Sequence, residues 1–240
     1  ARSNDMPLSN EYDLLLAAAY VRGAVSAIPQ HCEHLLRDQL YSLSEQELET
    51  LLSIGRAAGL DLYHFKKSHA SLPRVRAVLG FLHSIAFSSL LDVGSGRGAF
   101  LWSFMDTFPS VEVTSLDLLP GRVSFINTVT LGGVSRLHAL QSNICDFSAE
   151  HQFDVVTLLE VLEHIPDVKA AVQNAVRLAR RYVVVSVPSK ADDNPEHIHL
   201  LTQEVLTRIF RDAGCVNLRF SGVPGHLILI AKIESATIHD

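Results

Sequence analysis

The stretch Leu90-Leu91-Asp92-Val93-Gly94-Ser95-Gly96-Arg97-Gly98-Ala99-Phe100 decides the reading of this chain. A short apolar run with one carboxylate leads into three alternating glycines, and the helical run Phe100, Leu101, Phe104 and Met105 follows directly. That order puts the glycines at a strand-to-helix turn, where the backbone turns tightly and a ligand can approach the main chain. Glycines alone are weak evidence, because many such turns bind nothing. Asp92 sharpens the reading: a carboxylate just before the first glycine repels a pyrophosphate, whereas a ligand with a cationic end gains from it. Strict alternation of Gly94, Gly96 and Gly98 also argues against the Gly-x-Gly-x-x-Gly of nicotinamide dehydrogenases and sugar-nucleotide enzymes.

Outward from this turn, β-rich runs alternate with helical ones, the signature of a mostly parallel sheet with crossover helices. Strands are expected at Leu90–Val93, Val111–Asp117, Arg136–Gln141, Phe153–Leu159 and Tyr182–Val187, and an antiparallel hairpin at Cys215–Val223 and His226–Ile233 around Pro224-Gly225. Val168 to Ala179 carries a helical face, and Thr202 reads as the N-cap of a helix ended by Gly214. Asp117 closes the second strand, near the ~20-residue offset at which an acid accepts hydrogen bonds from ribose hydroxyls. Asn143-Ile144-Cys145-Asp146 follows the third. Ligands of open α/β sheets lie outside the carboxyl ends of the strands, so Asp92, Asp117 and Asp146 face a common ligand there.

These residues, in this order and spacing over roughly residues 75–235, resemble the cofactor site of class I S-adenosylmethionine-dependent methyltransferases. The resemblance implies a Rossmann-like, doubly wound, seven-stranded sheet with a reversed C-terminal hairpin. By it, Gly94, Ser95, Gly96 and Gly98 lie against the methionine moiety and Asp117 binds the ribose hydroxyls, with Leu118 beside it. Asp146 accepts from the adenine amino group, Ile144 packs on the ring next to Asn143, and Glu160 touches the cofactor.

The fourth strand runs into Glu160-Val161-Leu162-Glu163-His164, and Glu196-His197-Ile198-His199 follows the fifth. If a helix starts after the fourth strand, Glu160, Glu163 and His164 share one face toward the cleft. Glu160, Glu163, His164 and His197 then form a mixed oxygen and nitrogen set suited to Mg²⁺, Mn²⁺, Co²⁺ or Zn²⁺. Glu163, His164, His197 and His199 are the catalytic candidates, and His199 also suits a structural role at the helix near Thr202.

The cluster resembles that of small-RNA 3′-terminal ribose 2′-O-methyltransferases, although Leu200-Leu201 replace the aromatic and basic residues of that pattern. It equally resembles O-methyltransferases of ubiquinone and phenolic metabolism. A hydroxyl-bearing small acceptor is therefore expected, with an RNA 3′ end and a non-catalytic cofactor-binding subunit as alternatives.

Residues 1–72 carry helical signals only and are expected to form a cap on a methyltransferase domain at 73–240. Ser44-Glu45-Gln46-Glu47 is a capping box, and Gly59 suits the end of its helix. Lys66, Lys67, Arg74 and Arg76 read as a short solvated basic face or a small anion patch, and His31, His34, His64 and His69 as solvated or core-edge residues.

Of the 240 residues, 48% are hydrophobic and 19% charged, a globular composition. A formal charge of −6 gives no basic field for a polyanion, which disfavours RNA. The three cysteines, Cys32, Cys145 and Cys215, form neither a disulfide framework nor a zinc knuckle, so a reducing, cytoplasmic location is expected. The apolar run Leu14–Ile28 is too short to span a membrane and reads as a packed helix. Nothing in the sequence specifies an oligomeric state.

Overall fold

The computed structural model describes residues 8–235, so the outermost residues of both expected domains lie outside it. Seven strands form one sheet: β1 (Ser89–Val93), β2 (Glu112–Asp117), β3 (Leu137–Gln141), β4 (Phe153–Leu159), β5 (Ala179–Pro188), β6 (Asn217–Val223) and β7 (His226–Lys232). Their order is β3-β2-β1-β4-β5-β7-β6. β1 to β5 pair in parallel, and β7 runs antiparallel to both β5 and β6. The order reverses between β1 and β4, which opens a crevice at their carboxyl ends. This is the seven-stranded doubly wound sheet that the resemblance implied, with the parallel strands and crossover helices that the alternation of runs predicted.

The central strands are apolar almost throughout, because helices cover both faces. On one face α8 (Val168–Leu178) and α9 (Gln203–Asp212) bury Ala171, Val172, Ala175, Leu206, Ile209 and Phe210 against Val156, Leu158, Val183 and Val185. Asp167 and Thr202 cap these helices, accepting from Ala170 N at 3.0 Å and Val205 N at 3.2 Å.

The other face packs on α5 (Pro73–His83), α6 (Leu101–Thr107) and α7 (Pro120–Leu131), and on the N-terminal helices. Those comprise α1 (Leu8–Glu11), α2 (Leu14–Ala24), α3 (His34–Arg37) and α4 (Glu45–Ala57). Leu16, Leu51, Phe65, Trp102, Phe104 and Ile126 share one continuous core, so residues before 72 complete the burial of the sheet domain. Close approach is built in: a Cβ on Gly132, just past α7, would sit 1.7 Å from Ala19 O of α2. The capping box forms as written, with Glu47 N donating to Ser44 Oγ and Ser44 N to Glu47 Oε1, each at 3.1 Å. The Leu14–Ile28 run is α2 with a packed flank, and no helix among the described residues is long and apolar enough to cross a membrane.

Candidate active site

The first half of the crevice is the glycine turn. β1 carries Asp92 to its end, where the side chain is buried and accepts from Ser95 Oγ at 2.6 Å and Thr157 Oγ1 at 2.7 Å. Burial pushes its carboxyl up to about 6 against those two donors. Asp92 thus underpins the loop from beneath. Gly94 has φ +69° and packs so closely that a Cβ would lie 2.6 Å from Val161 Cγ2. Only glycine satisfies both conditions.

At the end of β2, Asp117 clamps the turn: Gly96 N donates to Oδ2 and Leu119 N to Oδ1, each at 3.0 Å. Leu118 beside it is 59% exposed, an apolar side chain left at the ligand edge. After β3, Asn143 folds a tight turn by accepting from Cys145 N at 2.9 Å, which buries Ile144 and leaves Asp146 exposed. The turn residues, Asp117 and the 143–146 segment therefore flank the same strand ends.

The second half begins at Glu160, and here the structure departs from the expected helix. Glu160 has φ +58°, and only a 3-10 turn, Leu162–His164, follows. A non-glycine residue held in the left-handed region marks a strained position. Its carboxylate lies 2.7 Å from His226 Nε2 and 3.4 Å from Arg74 Nε. The helical face that was to align Glu160 with Glu163 and His164 does not form.

The structure instead joins Glu163, His164 and His197, whose ligand atoms all lie within 4.8 Å of one another, and leaves Glu160 beside them. Glu163 is 1% exposed, and neither of its oxygens accepts a hydrogen bond from an N–H or hydroxyl. Burial holds its carboxyl well above the usual range, and the neighbouring Glu160 adds to the rise. His164 Nε2 is 3.6 Å from Glu163 Oε1, and its ring meets that of His197 edge-on at 4.7 Å. His199 stands apart from the trio, its Nε2 2.8 Å from Ile165 O, where it ties the loop down.

Several residues outside the candidate site set line this cleft. Arg74 leaves the expected solvated face to pair with Glu160. His226 arrives from the reversed strand, and Asp192 holds His197 Nδ1 at 2.7 Å. Ser186, at the end of β5, is 1% exposed, lines the cavity shared with Asp92, Gly94 and Glu160, and its hydroxyl has no partner. Lys66 and Lys67 serve the fold, one 3.5 Å from Glu11 Oε1 and the other donating to Ser9 O at 2.7 Å.

A seven-stranded sheet of this order, a glycine turn clamped by an acid, and a polar cleft at the switch point define a Rossmann-like methyltransferase fold. The chain belongs to the methyltransferase-domain family, whose profile matches residues 30–219. Among curated proteins it is 34% identical over 107 residues to the ubiquinone biosynthesis O-methyltransferase of Xanthomonas oryzae pv. oryzae, covering 40% of each chain. It is 31% identical over 119 residues to that of Vibrio campbellii, covering 48% of this chain and 50% of the other. The chain thus spans half or less of the length of these relatives.

Among solved structures, an O-methyltransferase family protein from Burkholderia thailandensis superposes with a TM-score of 0.58 at 19% identity. That match covers 80% of this chain and 64% of the other. Magnesium protoporphyrin IX methyltransferase from Synechocystis PCC 6803 with bound SAH superposes at 0.54 and 16% identity, over 67% and 82%.

Proposed function

We propose that this protein transfers a methyl group from S-adenosylmethionine to a hydroxyl of a small acceptor, with residues 1–72 as a helical cap on a catalytic domain at 73–240. The observation that carries this reading is the continuity of the two half-sites. Glu160 lines both the cavity with Asp92, Gly94 and Ser95 and the cleft with Glu163, His164 and His197. The family, and relatives that are O-methyltransferases of ubiquinone biosynthesis, support a hydroxyl acceptor.

The residues fit both groups the reaction calls for. A Cβ on Gly96 would meet nothing nearer than 3.9 Å, so the turn has open backbone beside the Asp117 carboxylate. A buried carboxylate without hydrogen bonds, next to two imidazoles, is a donor set for a divalent cation. When bound, the cofactor supplies an electrophilic sulfonium methyl, and a divalent cation lowers the pKa of the acceptor hydroxyl.

Asp117 would hold the ribose hydroxyls, the exposed Leu118 is the apolar side chain open to the adenine, and Asp146 would accept from its amino group. Ile144, expected to pack on the ring, is instead buried in the core beneath the turn because strand and helix residues enclose it. Asn143 shapes that turn, while the Gly94–Gly98 backbone lies along the methionine part. Glu163, His164 and His197 would hold the cation against the acceptor hydroxyl, or in its absence one of the histidines would take up the hydroxyl proton, and Glu160 lies where the two half-sites meet.

Calorimetric titration of S-adenosylhomocysteine, with and without Mg²⁺, Mn²⁺, Co²⁺ or Zn²⁺, tests the assignment. Binding, followed by methylation of a catechol from S-adenosylmethionine, supports it. No binding under any condition overturns it, and methylation of an RNA 3′ end in place of catechols would reassign the acceptor.

A further inference from the structure

The loop from Ser189 to Leu201 carries His197 into the cleft although most of its residues are exposed. Its shape comes from side chains folded back on the main chain: Asn194 N donates to Asp192 Oδ1, and Glu196 N to Asn194 Oδ1, each at 3.0 Å. Its ends are fastened by Ser189 N donating to Gly225 O at 3.0 Å and Ile198 N donating to Glu163 O at 2.9 Å. The second of these hangs the His197 segment directly on the backbone of Glu163.

One contact serves the ring and not the loop. Asp192 Oδ2 lies 2.7 Å from His197 Nδ1. A carboxylate only accepts, so Nδ1 carries the proton and the lone pair falls on Nε2. The Asn194 side-chain amide, which donates through Nδ2, lies 3.3 Å from Nε2 and matches the same tautomer.

Resting on the site reading above, we propose that Asp192 is a positioning residue that locks His197 in its Nδ1-protonated tautomer and leaves on Nε2, where the Asn194 amide approaches at 3.3 Å, the lone pair that ligates a cation. An imidazole ligates through its unprotonated nitrogen, and a carboxylate behind the other nitrogen fixes the ring and raises its basicity. Asp192 divides its two oxygens between these tasks: Oδ1 shapes the loop through Asn194 N, and Oδ2 sets the tautomer.

That division makes Asp192→Asn informative. The variant's carbonyl oxygen keeps the Asn194 contact, so its NH₂ faces His197 Nδ1 and, as a donor, favours the opposite tautomer. In nitrogen-15 histidine spectra at one mildly alkaline pH, His197 is expected to be Nδ1-protonated in the wild type and to gain a clear Nε2-protonated population in Asp192→Asn, where the Asn194 amide still faces Nε2. Titrated with Mn²⁺ or Zn²⁺, Asp192→Asn should bind about 10–100-fold more weakly, with S-adenosylhomocysteine affinity held within about twofold. Asp192→Ala should give a tautomer mixture and an intermediate loss, and its melting curve reports whether the loop has collapsed.

An unchanged His197 tautomer in Asp192→Asn overturns the proposal, as does unchanged cation affinity in a wild type that binds one. A wild type that binds no cation removes the cation from the proposed function, and the tautomer readout still decides the role of Asp192.

Discussion

The two halves of the cleft are built in opposite ways. At the glycine turn, the groups that hold the geometry come from neighbouring strand ends: Gly94 N donates to Leu116 O at 2.7 Å, and Gly96 N bonds Asp117. Asp92 is satisfied by Ser95 and Thr157. Strand pairing and turn chemistry suffice to form it. At the Glu/His cluster, Arg74 comes from α5, Glu160 to His164 follow β4, Asp192 and His197 sit on an exposed loop, and His226 opens β7. No local rule assembles that set, and it carries buried carboxylate oxygens without hydrogen bonds. The backbone of the first half is held by its own strand ends, where the Ser186 hydroxyl is buried without a partner, whereas the second leaves the carboxylate oxygens of Glu163 without hydrogen bonds.

Removing cluster groups tests the division most severely. Glu163→Ala and His197→Ala should each cut catechol methylation by about 10²–10⁴, the span of a lost acid–base group, while S-adenosylhomocysteine still binds. Normal turnover in both would sink the cluster as the reaction centre.

Asp117→Ala acts on the other half. Losing charged acceptors for ribose, at about 1.5–3 kcal/mol each, should weaken S-adenosylhomocysteine by about 100-fold in calorimetry. Unchanged affinity would place the cofactor elsewhere.

Two glycines of one turn sharpen the comparison. Gly94→Ala adds a clash with Val161 to an unfavourable φ and should cost about 2–4 kcal/mol in urea unfolding, whereas Gly96→Ala meets open space and should cost about 1. Equal costs would show that Val161 yields.

The smallest effect concerns pH. Asp13, at the start of α2, is pushed up to about 7 by burial and by Asp106, and Asp92 to about 6 by burial. Folding favours the protonated form of each, so their contribution is full below the ordinary carboxyl range and is lost as pH rises through about 6 and about 7. Melting temperature should therefore fall by a few degrees between about pH 5 and 8, and Asp13→Asn should flatten the decline. An equally steep decline in Asp13→Asn would remove Asp13 as its source.

The legibility of the chain follows the same division. Strand positions, the capping box, the Thr202 cap and the glycine turn were readable because each depends on periodicity or on residues a few positions apart. Glu163, His164 and His197 were readable as residue types suited to one chemistry. The backbone that presents them was not, since Glu160 adopts φ +58°, which no local sequence rule marks, and its carboxylate meets Arg74 and His226 from distant elements. Asp192 offered one faint signal, an acid five residues before a candidate histidine in a polar loop. Arg74 was legible only as part of a basic face and His226 not at all, because hydrophobic patterning reports which face is buried and not which distant side chain meets it.

By itself the amino-acid sequence determined the alternation of strands and helices and the glycine turn at the end of the first strand, through periodicity and steric rules that act over a few residues. The Asp117 clamp on Gly96, by contrast, joins two strand ends. Tertiary structure decided which acid joins the histidines, which one meets the arginine, and which nitrogen of His197 faces Asp192. Those choices depend on through-space distances of a few ångströms between residues far apart in the chain, and packing alone sets such distances.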